Sequence, residues 1–179
     1  MFLQPGRVAL GVFPFSGTVH TDPTRQNKNM IDSRLPQSKR VAPGSVSVIR
    51  TGIRTFEGHN ERGDTVRIGP ADAPGHFTPG ELLKLALAGC AGMSSDRVTA
   101  RRLGDDYEAT IWAHGTSDEE EDRYFSIDEE ILLDLDPLSE AEREKLHTLI
   151  CKSIDKSCTI ARSVRDCIVL SKTVNGHAL

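Results

Sequence analysis

The stretch Thr78-Pro79-Gly80-Glu81-Leu82-Leu83-Lys84-Leu85-Ala86-Leu87-Ala88-Gly89-Cys90-Ala91-Gly92-Met93 decides the fold of this chain. Thr78 offers a capping oxygen, Pro79 suits the first helical position, and Glu81 stands three residues after the cap. These are start signals of a helix. The residues that follow are almost wholly apolar, which predicts a buried helix rather than an amphipathic surface one. Ala86, Ala88, Gly89, Ala91 and Gly92 are small enough to let another backbone come close around Cys90.

Upstream of this helix, Val46, Val48 and later Ile53 alternate with polar residues and predict a half-buried strand beginning near Ser45. Gly58 to Asp64 reads as a turn, Thr65 to Ile68 as the returning strand, and Gly69 to Phe77, with Pro70, Pro74 and Gly75, as a loop. Downstream, strands are expected at about Tyr107 to His114 and Tyr124 to Leu135. The acidic run Asp118 to Asp122 between them reads as a solvated hairpin tip. A second capping box, Ser139 with Glu142, opens a helix running toward Lys156 with a stripe of Leu146, Leu149 and Ile150. A short helix from Cys158 to Val164 and a last strand from Cys167 to Thr173 complete the pattern. Strands and helices are grouped rather than alternating, so the fold class is α+β.

Residues 1–44 differ in character. They hold six Lys/Arg against two Asp and five of the nine prolines, whereas the rest holds sixteen Lys/Arg against twenty-four Asp/Glu. Such a segment cannot bury enough apolar surface to offset its ordering entropy, so it is expected to be a disordered leader, with the alternative that translation starts at Met30 and residues 1–29 are a start-site artefact. The folded domain is then 45–179. No apolar run is long enough to span a membrane, and the N-terminal apolar stretch, broken by Gly11 and Pro14, lacks a signal-peptide pattern. A cytoplasmic protein is expected. The net charge of −4 disfavours nucleic acid as a partner. The four cysteines, at 90, 151, 158 and 167, form no C-x-x-C and share no ligand spacing with the six histidines. No metal site and no cofactor is expected.

Those cysteines are the residues with chemistry to offer. In a reducing cytosol they are catalytic, redox or simply buried thiols. Cys158 stands between two helical segments, where unpaired amides at a helix start would lower its pKa if Ser157 caps the short helix. Cys151 lies two turns from Cys158, roughly 10 Å away along one helix, too far to bridge. Cys167 is expected in the core.

Thr78-Pro79-Gly80-Glu81-Leu82-Leu83 followed by Ala86-Leu87-Ala88-Gly89-Cys90 resembles the first-cysteine helix of the osmotically-inducible-protein-C and organic-hydroperoxide-resistance (OsmC/Ohr) family. Cys158-Thr159-Ile160-Ala161-Arg162-Ser163-Val164 is similar to its second-cysteine motif. The resemblance covers about residues 45–179. It implies antiparallel strands around a buried cysteine-bearing helix, in an intertwined homodimer with active sites at the interface. It also implies a peroxidase acting on organic hydroperoxides, in which Cys90 attacks, Cys158 resolves the sulfenate as a disulfide, and an external dithiol recycles the pair. The family's site adds an arginine from the early strands, oriented by a glutamate near the start of the cysteine helix. Arg62 is the candidate, with Arg54 and Arg67 close behind, and Glu81 is the nearest glutamate.

Two departures from the family pattern stand out. The well-studied peroxidases have glutamate directly after the proline, where this chain has Gly80; Glu81 comes one place later and also suits a plain capping box. Thr159 stands where the familiar second motif has proline, while Arg162 is kept and reads as structural. Glu81 and Cys90 are about 13.5 Å apart on one helix and face opposite ways, so any joint action must cross a dimer interface. Apolar lining from Phe77, Leu83 and Leu87 would favour alkyl peroxides. Two other functions use the same residues: a thiol hydrolase with His76 as base, and a ligand-binding domain without catalysis.

Overall fold

A computed structural model describes residues 38–179. The reading of residues 1–44 as a leader, with its possible start at Met30, falls almost entirely outside them. From Pro43 onward the chain forms one unit. Strands β1 (Val46–Gly52), β2 (Thr55–Asn60) and β3 (Thr65–Ile68) make an antiparallel sheet in that order. The turn before β3 is shorter than expected, because β2 extends through Gly58 to Asn60, whose side chain accepts the Arg62 and Asp64 amides. Ile53 lies in the β1–β2 turn rather than in a strand.

Helix α1 (Pro79–Leu103) begins at the expected capping box. The Glu81 amide donates to Thr78 Oγ1 at 3.2 Å, and the Thr78 amide donates to Glu81 Oε2 at 2.7 Å. Then come β4 (Ala109–His114), β5 (Ser126–Leu133), α2 (Glu140–Ser157), α3 (Thr159–Val164), β6 (Val169–Val174) and a short β7 (His177–Ala178) that the sequence reading lacks. These strands form a second sheet in the order β4-β5-β6-β7. β4 and β5 pair antiparallel, but β5 and β6 pair parallel, with α2 and α3 as the crossover. The mixed α+β class is as expected.

The core lies between the helices and this second sheet. Ala91 of α1, Leu146, Ile150 and Ile154 of α2, Cys158, Ile131 of β5 and Val174 of β6 form one buried cluster. Gly92 lets the helix close on β4, since a Cβ there would sit 2.8 Å from Ile111 Cδ1. Ser153 Oγ donates to the Ser94 carbonyl at 2.5 Å and pins α2 to α1. Only one face of α1 is covered, however. Leu87, Ala88, Ala91, Ser95 and Thr99 are buried, whereas Leu85 and Met93 are 50% and 85% exposed. The expectation of a helix buried all round fails for the single chain, because the second sheet and α2 together reach one side of it.

The first sheet is open as well. Its register puts Val46, Val48, Phe56, Val66 and Ile68 on one face, and Ser47, Glu57, His59 and Arg67 on the other. Val46 and Val48 are exposed, not half-buried as the alternation predicts. An apolar hollow of about 350 Å³ lies between this sheet and the start of α1, lined by Val48, Phe56, Ile68, Pro79 and Leu82. Among the described residues no helix is long and apolar enough to cross a membrane.

Candidate active site

The second and third helices meet at a thiol. Cys158 closes α2, its amide donating to the Ile154 carbonyl, and opens α3 as its N-cap. It is the cap itself, rather than Ser157: the Ala161 amide donates to Cys158 Sγ at 3.5 Å. The residue is fully buried in the core cluster. Cys90, half-buried at mid-α1, packs against the same cluster, and its Sγ lies 3.9 Å from Thr159 Oγ1. The fold thus brings together two thiols that stand 68 positions apart in the chain.

They are polarised in opposite directions. Burial pushes the Cys90 thiol up, but hydrogen bonds from the Cys158 thiol, the Ile160 amide and the Thr159 hydroxyl and amide outweigh it, and Cys90 ends below the ordinary range. Cys158 is pushed up, first by burial and then because its proton is shared with Cys90. The other two cysteines contrast with them. Burial raises Cys151, and the neighbouring Asp155 carboxylate raises it further. Cys167 is exposed and precedes β6, so its expected place in a core strand is not realised.

The remaining candidates are not gathered around Cys90 in one chain. Arg62 sits in the exposed β2–β3 turn, 3.3 Å from Asp64 Oδ2. Arg54 occupies the β1–β2 turn in a left-handed conformation (φ 56°) with no partner among the described residues, and Arg67 is exposed on the polar face of β3. Glu81 is committed to the capping box, whose bonds hold its carboxylate below the usual range. His76 Nδ1 lies 2.9 Å from the Pro74 carbonyl within its own loop. Phe77 is 44% exposed and Leu83 half-buried, while Leu87 is turned fully into the interior. Gly80 has a local reason. A Cβ there would collide with the Tyr124 hydroxyl, so the space next to the helix start is already filled.

One buried charge pair has no counterpart among the candidates read from the sequence. Glu129 of β5 is 1% exposed and pairs with Lys172 of β6, opposite it in the parallel register. The signal was present in the alternation: Glu129 interrupts the inward series Ile127, Glu129, Ile131, and Lys172 interrupts Leu170, Lys172, Val174. Without knowledge that β5 and β6 are neighbours, neither residue stands out.

Comparison with known proteins gives the lineage. The family model for OsmC-like proteins matches residues 70–171, more than half of the chain. The chain belongs to this family. An uncharacterised protein of Mycobacterium tuberculosis and one of Mycobacterium bovis are each 47% identical over 118 residues, covering 66% of this chain and 86% of theirs. Among solved structures, a hypothetical protein from Aquifex aeolicus matches with a TM-score of 0.59 and 18% identity, over 73% of this chain and 92% of that one. The organic hydroperoxide resistance protein OhrB of Bacillus subtilis matches with a TM-score of 0.52 and 16% identity, over 73% and 96%. At that identity the likeness shows the OsmC fold alone. Within the OsmC-like domain, the matched span contains both Cys90 and Cys158.

Proposed function

We propose that this OsmC-like chain is a thiol peroxidase that reduces organic hydroperoxides. The observation that carries the reading is the meeting of the two thiols: Cys158 caps α3 in the core cluster against which Cys90 packs, with Cys90 Sγ 3.9 Å from Thr159 Oγ1. The Cys90 thiolate attacks the outer peroxide oxygen. The O–O bond breaks, the alkoxide takes a proton and leaves as an alcohol, and Cys90 is left as a sulfenic acid. Cys158 then attacks that sulfur, water departs, and the pair is a disulfide. An external dithiol, oxidised in turn, restores both thiols by exchange in the reducing cytosol.

A homodimer fits this reading. The apolar face of β1–β3 and the Leu85 and Met93 side of α1 are open in the single chain, and their union across a two-fold axis would cover both. It would also bring an arginine to the thiol. Arg54 is better suited to that than Arg62, because Asp64 stands 3.3 Å from Arg62 while Arg54, on a strained turn, has no partner among the described residues. Glu81 could join the site only across the same interface.

The test mixes reduced protein with one equivalent of an alkyl hydroperoxide and counts free thiols. Rapid loss of two thiols per chain is expected, abolished in Cys90→Ser and turned into sulfenate build-up in Cys158→Ser. Survival of the thiols for minutes would defeat the peroxidase and favour a ligand-binding domain.

A further inference from the structure

The short helix that follows Cys158 carries a basic face that the thiol chemistry leaves unused. Thr159, Arg162, Ser163 and Arg165 line an open hollow of about 390 Å³. Thr159, Arg162 and Ser163 are spaced three and four apart, so they stand on one face of α3, and Arg165 is its C-cap. Ser163 Oγ donates to the Thr159 carbonyl at 2.9 Å, which leaves the two guanidiniums as the free donors of the hollow. The exposed side chains of Arg162 and Arg165 enter no ion pair or hydrogen bond among the described residues, and Asp166, next in the chain, pairs with neither.

A helix C-terminus favours cations, which gives Arg162 and Arg165 a local reason to stand there. That reason needs charge alone. It accounts neither for the hollow nor for what lies at its other end. Thr159 lines the hollow and also holds its Oγ1 3.9 Å from Cys90 Sγ, so one side chain separates the basic face from the thiol. Arg165 stands six residues beyond Thr159, about 9 Å along the helix axis. Two guanidiniums within that range, each a planar fork of donors, suit a carboxylate or phosphate rather than a neutral group.

We propose that this hollow is the subsite for an anionic group of the hydroperoxide, so that the preferred substrates carry a carboxylate across a short alkyl chain from the peroxide. The peroxide faces Cys90, Arg162 and Arg165 hold the carboxylate, and Thr159 stands between the two ends. This names a substrate class for the peroxidase reading and rests on it.

The test compares a straight-chain ω-hydroperoxy carboxylate with its methyl ester, which differ in charge and share the reacting end. With the reduced full-length chain and a dithiol, kcat/KM for the acid should exceed that for the ester by about tenfold. Arg162→Gln combined with Arg165→Gln should abolish the preference and leave kcat/KM for the ester unchanged. Both residues are exposed, so the double variant should fold, which thermal denaturation checks. Equal kcat/KM for acid and ester in the wild-type chain, or a preference that survives in the double variant, overturns the subsite. Binding is read without turnover, by calorimetry with the ω-hydroxy carboxylate that the reaction would release. The wild-type chain should bind it and the double variant should not. Arginine-dependent binding in a chain that consumes neither peroxide defeats the peroxidase alone. Turnover of both peroxides alike, with no binding of the hydroxy acid, defeats the subsite alone.

Discussion

Each of the two sheets carries an apolar face, but only one has it covered. Ile127, Ile131 and Val174 of the β4–β7 sheet are at most 3% exposed beneath the helices, whereas Val46 and Val48 of the β1–β3 sheet are 77% and 59% exposed. The covered half holds both thiols and the Glu129–Lys172 pair. The open half holds Arg54, Arg62 and Arg67. The contrast separates what one chain completes from what it leaves to a second surface. The thiol pair is assembled within the chain, while the apolar face of β1–β3 and the three arginines stay open in it.

The largest effect should come from attacking the open face. Val48→Glu places a charge where the proposed homodimer buries apolar area, and the mass seen by analytical ultracentrifugation should fall to that of a monomer. A wild-type chain that is already monomeric at micromolar concentration would break the comparison at its root. In the covered half, Ile150→Ala opens a cavity in the helix–sheet core and should cost about 2–5 kcal/mol in urea unfolding. A cost below about 1 kcal/mol would mean that the core is less closed than its burial indicates. Gly80 stands at the joint between the halves. Gly80→Ala drives a methyl into the Tyr124 hydroxyl and should cost about 1–3 kcal/mol, most of it recovered by adding Tyr124→Phe. Without that recovery, the glycine serves the backbone and not the tyrosine.

Local signals were the legible part of the fold. Thr78, Pro79 and Glu81 announce α1 because capping depends on side chains within three residues of the helix start. Ser139 and Glu142 mark α2 for the same reason: the Ser139 amide donates to Glu142 Oε2 at 2.9 Å. Where the reading failed, the answer lay in distant pairing. Val46 and Val48 alternate as a half-buried strand should, but alternation cannot say whether the covering surface belongs to the same chain. Cys167 reads as core until β6 is seen to begin at Val169. Arg62 looks available until Asp64 is found beside it.

The α+β class, the two helix starts, and the two cysteine motifs shared with the family can all be read from the chain alone. Each of these is written in contiguous residues whose hydrogen bonds and periodicity are local. The meeting of the two thiols, the cap that Cys158 gives its own helix, and the pairing of Glu129 with Lys172 emerge from packing. Those outcomes depend on burial and on the parallel pairing of β5 with β6, which joins residues 43 positions apart. A charge in the apolar phase of a strand is visible in the sequence, but its partner is chosen by the neighbouring strand.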